Sequence, residues 1–599
     1  LGLLQQAMVT YDFLKSVSEK NEEEPLCPIA HIITKADIEV KIDIDGNYIG
    51  ASEEKAKVII PVTEKSSGRT SKPNPHALCD QIKYLVSYDK KSTEAKELYM
   101  NQLKEWIESD YSDNKIVAIY NYVKKNSLLV DLKKDELLKM KSDKSIDEKI
   151  MIVWNVIGSE GKTQVYYDTR LMEKYTKFYL DKVKKNNEDI CYVTGKKEPL
   201  ASQHLKGIFS LNGNAKLISA NDTTNFTFKG RFLEQEQAIG ISYTASQKAH
   251  NALKWLITNQ GVIIGGRCFL GWSPEGEIIP KCMDPFMAAM YDNSENPEIV
   301  KLSDYRDELL KAVLSYKSNL KNKVNSKVVI AVFDAATTGR LALVNYNEIL
   351  IDDYLEKLRK WDEYCSWYGY KSTNIESPSI LMITKYAFGV ERDKSGKGKV
   401  EISDGISKQT VDRLLQCRLN EELFPRDIKN NIVNNASKLY LYGTNTRRKL
   451  LNITCAVIRK FHYDYMKEDF AMELEQERKD ISYQFGRLLA VYEKIEKDAL
   501  GSNEENQRET NAMRMQSVYC KKPMHYANEL EKQMQRAYFT RLNPGKVVYY
   551  KKMIGQILSE INNFPESEWN KSLKDSYLMG YYLQRRSLYT KKDNENMEK

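Results

Sequence analysis

Apolar residues first recur at helical spacing. Leu4, Met8 and Tyr11 of "LGLLQQAMVTYDFL" share one face and predict an amphipathic helix. The period then drops to two. "IEVKIDIDGNYIGASE" (38–53) alternates apolar and polar residues around Asp45-Gly46, which predicts a hairpin, and "AKVIIPVTE" (56–64) predicts another strand. Helical spacing returns over 93–107 and, heavily charged, over 112–150. "KIMIVWNVIG" is an apolar run of strand length, and "DTRLMEKYTKFYLDKVKK" after it reads as a helix.

Short strands and turns fill 191–230. The helix "TASQKAHNALKWLI" follows, then the strands "GVIIGGRCFLGW" and "KVVIAVFDAATTGRLALVNY". Residues 351–365 and 408–465 read as helical, separated by the loop "ERDKSGKGK". Beyond residue 466 no strand pattern remains. "ERKDISYQFGRLLAVYEKIEKDAL", "ANELEKQMQRAYFTRL", "KVVYYKKMIGQILSEI" and "SYLMGYYLQRRSLY" read as helices, interrupted by the polar "GSNEENQRETN". The fold class expected is therefore α+β. A mixed α/β N-terminal body with short, mostly antiparallel sheets spans 1–465, with subdivisions near 185 and 370. An all-α helical bundle spans 466–599.

A chain of 599 residues is too long for one core, so several domains are expected. Its 38 tyrosines suit base stacking and ordinary cores equally well. The net charge of +8 is the difference between 91 basic and 83 acidic residues, which permits a polyanionic partner without demanding one. Nine cysteines and six histidines are scattered, with no Cys-x-x-Cys, so neighbours in sequence assemble no zinc site. Such a set suits reduced thiols in the cytoplasm. No apolar run reaches the ~18 residues that span a bilayer, and the first residues lack a basic leader. The expectation is no membrane, no metal and no cofactor.

Most candidate chemistry fails on spacing. "IGSEGKTQ" (157–164) resembles a phosphate loop, but position 156, where its first glycine belongs, is Val156. No nucleophile elbow, His-Glu-x-x-His or kinase set is present. Asp334 and Arg340 of "VFDAATTGRLALV" fit a turn followed by a strand. A nuclease built from widely separated ligands stays open, and so does a purely structural scaffold.

The stretch "SSGRTSKPNPHALCDQIKYL" (66–85) carries more. Pro75 suits the first position of a helix and Asn74 its N-cap, with Leu78, Ile82 and Leu85 turned inward. The N–H groups of such a helix end, with Lys72 and Arg69 beside them and Gly68 allowing close approach, would suit a phosphate or an electronegative groove. An ordinary capped helix after a flexible turn accounts for the same residues.

"KSSGRTSKPNPHALCDQIKYLVSYD" resembles the Ser-Gly-x-Lys-Pro-Asn…Asp-x-x-Lys-Tyr signature of the large subunit of the type I-C CRISPR Cascade complex. "VTGKKEPLASQHLKGI" is similar to that family's Thr-Gly…His-x-x-x-Lys-Gly segment, "ISYTASQKAHNALKWLI" to its Tyr-Thr-x-Ala helix, and "DAATTGRLALVNY" to its Asn-Ala-Ala-Arg strand. "YQFGRLLAVYEKIEKDALG" and "FPESEWNKSLKDSYLMGYYLQRRSLY" resemble its C-terminal helices. The matches run in order over nearly the whole chain. Leu78-Cys79-Asp80 stands where the family usually has Leu-Trp-Asp.

The resemblance implies a non-catalytic subunit of an RNA-guided surveillance complex. Its partners would be CRISPR RNA, the backbone subunits, and the subunit that binds the 5′ end of the guide. It would inspect duplex DNA for the protospacer-adjacent motif, help form the R-loop, hold the displaced strand and help recruit the helicase–nuclease. On this reading Lys72 and Asn74 meet groove edges, Gly68 and Ser67 allow close approach, and Arg69 meets phosphate. Strand holding would use Arg514, Lys521, Lys522, Arg536, Arg585 and Arg586 with Tyr519 and Tyr538. The family also makes a separately translated small subunit, whose start here would be Met472 or Met466.

Overall fold

The apolar run Met151–Ile157 is an interior strand, with six of its seven residues buried. It lies parallel to Ile38–Asp43 and antiparallel to the short strand Asp80–Gln81, in a four-stranded sheet completed by Tyr48–Glu53. Burial on both faces is why it reads as a continuous apolar run rather than an alternation. The Asp45-Gly46 hairpin forms as expected. Gly46 sits at φ +80°, and a Cβ there would stand 2.6 Å from the Ala118 carbonyl oxygen, so the turn needs glycine. The helices Lys90–Ile107, Asn114–Lys125 and Thr169–Val183 cover the sheet through Tyr99, Trp106, Ile119, Tyr122 and Tyr175.

The computed structural model describes residues 2–18, 25–69, 72–138, 146–185, 188–209, 211, 214–219, 240–289, 301–319, 326–335, 337, 339–369, 374–392, 400–501 and 509–595. Most of the expected loop 391–399, most of the linker 501–511, and 220–230 of the expected strand-and-turn region lie outside them. Two compact units are present: Leu1–Glu277 with Lys327–Glu348, and Ile278–Ser326 with Ile349–Lys599.

The first unit holds a second four-stranded sheet, in the order Ala342–Leu350, Lys327–Asp334, Arg267–Trp272, Val262–Ile264. The N-terminal helix Leu3–Ser18 and the helix Tyr243–Gln260 share a core with it. Ala7, Tyr11, Ala249 and Leu253 pack with Leu270, Trp272, Val329 and Phe333.

The second unit is mostly helical. Its helices include Leu302–Asn319, Ile351–Tyr364, Ile380–Phe388, Asp404–Asn420, Arg426–Ala436 and Thr444–Met466. The region 466–599 lies inside this unit and is built round Ile481–Leu500, a helix buried on every side. Ser576–Glu595 packs on it at backbone distance. A Cβ on Gly486 would run into the Tyr577 carbonyl, and one on Gly580 into the Tyr483 carbonyl. The fold is α+β, with short, mostly antiparallel sheets in the N-terminal body and a helical C-terminal region.

Three expectations need correction. No helix starts at Pro75; residues 75–79 are irregular, and one helical turn, Ile82–Leu85, follows the strand Asp80–Gln81. Residues 112–150 are not one helical stretch. Asn114–Lys125 ends at Asn126 and Leu128–Lys134 is followed by Glu136, both with left-handed backbone. The expected helix 527–542 gives way at Met534–Tyr538 to a π turn.

A candidate nucleic-acid interface

Thr63 begins the site. Its hydroxyl accepts from Ser66 N at 3.0 Å while Ser66 Oγ accepts from Thr63 N at 2.9 Å, a capping box that fixes the short turn Glu64–Ser67. The Glu64 side chain is buried and anchors the turn to a distant segment. Its carboxylate accepts from Ser202 Oγ at 2.8 Å and from Gln203 N at 2.9 Å. Ser67 Oγ donates to the Glu64 carbonyl at 2.9 Å, and so faces its own turn. Gly68 ends the turn at φ −103°, where any residue fits; a Cβ there would lie 2.6 Å from Gln203 Oε1.

Asp80 then explains why the expected helix fails. Its fully buried carboxylate accepts from His76 N at 2.6 Å, from Gln81 N at 2.7 Å, and from both arms of the Arg69 guanidinium. The Leu78 carbonyl accepts from Tyr99 Oη at 2.6 Å and from Trp154 Nε1 at 2.9 Å, and Ala77 N donates to the Pro61 carbonyl. Backbone groups spent on tertiary partners are not available to an α-helix. Asn74 is therefore no N-cap, and the helix-end anion site argued from Pro75 does not exist.

The loop itself stays accessible. Lys72 is exposed and Asn74 half-buried, its Nδ2 donating only to the Lys72 carbonyl at 3.3 Å. Thr70 and Ser71, between the anchored and the exposed parts, lie outside the described residues. Arg69 is committed otherwise than expected. Besides Asp80 it donates to the Asn74 carbonyl at 2.9 Å and stacks over Tyr84 at 4.4 Å, so it struts the loop from below. His76 closes the base, its Nδ1 3.0 Å from Ser66 Oγ. Burial above all, and then Arg69, push its pKa down to about 4, leaving it neutral near pH 7.

One of the other family-like stretches of the first unit reaches this turn directly, and further segments join it in a chain. Ser202 and Gln203 hold Glu64; His204 Nδ1 reaches Ser246 Oγ at 2.8 Å on the helix Tyr243–Gln260; and Lys216 exchanges backbone hydrogen bonds with Gly339 and Leu341. Sequence reasoning missed Gln203 and Lys216. Neither carries a local signal, since each gains its place only through partners far along the chain.

The helical region sorts its residues differently. Tyr519 and Tyr538 are core residues whose hydroxyls serve the Phe485 carbonyl at 2.9 Å and Glu496 at 2.8 Å, which leaves no open face for a base. Arg585 faces the buried Glu493 at 3.7 Å, and Arg586 covers the Tyr368 ring at 3.6 Å. Arg514, Lys521, Lys522 and Arg536 are exposed, and among the described residues none of them forms an ion pair, although Arg536 acts on Glu529 from a distance. Met466 ends the helix Thr444–Met466 exposed, whereas Met472 is buried, its carbonyl accepting from Tyr368 Oη at 2.8 Å.

Among the described residues no group of three or more His, Cys, Asp or Glu side chains is placed to hold a metal ion, and no helix is long and apolar enough to cross a membrane. A family model described as CRISPR-associated protein (Cas_Csd1) matches residues 10–589. Comparison with curated proteins gave no match.

Proposed function

The chain belongs to the Cas_Csd1 family of CRISPR-associated proteins, the family of the type I-C Cascade large subunit, and on that premise we propose that loop 67–74 reads the protospacer-adjacent motif in duplex DNA. Family membership makes it a Cascade subunit that works with CRISPR RNA and other Cas proteins. In RNA-guided systems base pairing reads most of the target, so the protein need recognise only a short duplex motif and backbone shape.

The observation that carries the reading is the convergence at the loop. Glu64, Ser66, Arg69, His76 and Asp80 are consumed in holding the turn, while Lys72 and Asn74 stand outward on it. A rigid base under an exposed ammonium and amide suits entry into a minor groove, where donors and acceptors separate A·T from G·C. Lys72 and Asn74 meet the groove edges, and Gly68 keeps the backbone low beside Gln203. Arg69 holds the loop's geometry.

The same subunit, on this reading, has no active site of its own and acts in the cytoplasm. It helps open the duplex, holds the displaced strand through Arg514, Lys521, Lys522 and Arg536, and offers a landing surface to the helicase–nuclease. A small subunit starting at Met472 or Met466 would contain the whole of the helix Ile481–Leu500 and its partner Ser576–Glu595.

The test is duplex binding by the assembled complex carrying Lys72→Ala with Asn74→Ala. Discrimination between motif-bearing and motif-scrambled DNA should fall, each lost groove contact costing about 1–3 kcal/mol. Retained discrimination refutes the assignment. Cleavage of labelled DNA by the purified chain with Mg²⁺ or Mn²⁺ would instead favour a nuclease.

A further inference from the structure

Beside the loop, three cations stand in a row that the reading above does not use. The backbone of Lys206 bridges Lys216 in antiparallel fashion, and Lys216 bridges Arg340 in parallel fashion. Gly207 N donates to the Ala215 carbonyl at 3.0 Å, and Leu341 N to the Lys216 carbonyl at 3.0 Å, so three separate segments form a small ribbon. Residues directly opposite on such a ribbon project to the same face. Lys206, Lys216 and Arg340 are therefore lateral neighbours, an arrangement that destabilises the ribbon by like-charge repulsion.

Among the described residues, Glu64 alone is seen to act on this row as an opposite charge. Among the described residues no carboxylate forms an ion pair with any of the three. Glu64 acts on Lys216 from a distance, but its oxygens already accept from Ser202 and Gln203. His204 and His250 lie behind, buried and neutral; burial first, with Lys216 contributing, pushes their pKa values down to about 3 and about 4. Lys216 itself is half-buried, and its pKa is lowered by burial and then by Lys206. Lys206 is half-buried and Arg340 exposed, so the row faces outward. Gln203, which touches Gly68, ties this ribbon to the motif-reading loop.

We propose that Lys206, Lys216 and Arg340 grip the phosphate backbone of the duplex DNA whose groove meets Lys72 and Asn74. The assignment rests on the loop reading above and deepens it. A row of phosphates supplies the counter-charge that the described residues do not, and it does so without reference to base sequence, so the ribbon positions the duplex while the loop specifies it. Cations held side by side, at a stability cost and with no ion pair among the described residues, are what such a contact requires.

The experiment uses the complete guide-loaded complex with Lys206→Gln, Lys216→Gln and Arg340→Gln combined. Dissociation constants for motif-bearing and motif-scrambled duplexes are measured across a salt series. The slope of log Kd against log salt should shrink by about two to three, near 0.9 per lost phosphate contact, with both duplexes weakened by the same factor. Lys206→Arg with Lys216→Arg should keep the wild-type slope. The glutamine variant should melt no lower than wild type, because it removes repulsion. An unchanged slope, a slope change confined to guide-RNA binding, or a lower melting temperature would each overturn the proposal. If instead the slope falls as expected while Lys72→Ala with Asn74→Ala leaves discrimination intact, the loop reading fails and the phosphate grip stands.

Discussion

Arg69 and Asp80 are joined by two hydrogen bonds, Nη1 to Oδ2 at 2.8 Å and Nη2 to Oδ1 at 2.5 Å, and this fork supports the loop that presents Lys72 and Asn74. Asp80 is fully buried, so removing its partner strands a desolvated charge. Arg69→Ala should cost about 3 kcal/mol, the low end for a broken buried pair, because two backbone N–H groups still serve the carboxylate. Arg69→Lys should recover little, since one ammonium cannot form the fork. Denaturant unfolding measures both, and motif discrimination should fall in parallel.

Gly68→Ala separates stability from recognition. The backbone there is not strained for alanine, and the nearest obstacle is the mobile end of Gln203. Unfolding free energy should change by less than about 0.5 kcal/mol. The added methyl pushes Gln203 aside at the duplex face, so binding of motif DNA should weaken. A variant that binds normally would remove Gly68 from the interface.

Gly486 and Gly580 should behave oppositely to Gly68. Their missing Cβ atoms face backbone carbonyls of the opposing helix, which cannot swing away. Each alanine should destabilise the second unit by about 1–3 kcal/mol or more. Gly555→Ala, in the helix Pro544–Asn562 with nothing near its Cβ, should stabilise by roughly 0.5–1 kcal/mol. Denaturant midpoints of the three variants test the contrast.

His462 gives the second unit a pH signature. Burial opposes its charge, but Asp575 at 3.0 Å and Glu468 at 2.8 Å outweigh burial and raise its pKa above the ordinary value. A raised histidine stabilises fully below its unfolded pKa, and that stability is lost as pH climbs through the folded value. As pH rises above the ordinary imidazole value of about 6.5, the wild type should therefore lose more stability than His462→Gln does. Equal losses would show that the imidazolium contributes nothing.

Much of the fold was legible because its signals are local. The Asp45-Gly46 hairpin, the buried run Met151–Ile157 and the helical spacing of Ile481–Leu500 each announce themselves within a few residues. What stayed illegible depends on distant partners. Pro75 after Asn74 looks like a helix start, yet Asp80, Tyr99, Trp154 and Pro61 claim the backbone of 76–81. Tyr519 and Tyr538 looked like stacking platforms, because one helix does not reveal which of its faces the bundle covers. The helices Leu302–Asn319 and Ile380–Phe388 also went unread, as did the Lys206–Lys216–Arg340 row, whose members come from three separate segments.

The most direct measurement is a structure of the guide-loaded complex on target duplex, captured before strand separation. Lys72 Nζ and the Asn74 amide should lie within hydrogen-bonding distance of base edges in the motif, with Arg69 still on Asp80. Finding residues 67–74 turned away from the nucleic acid would contradict the account.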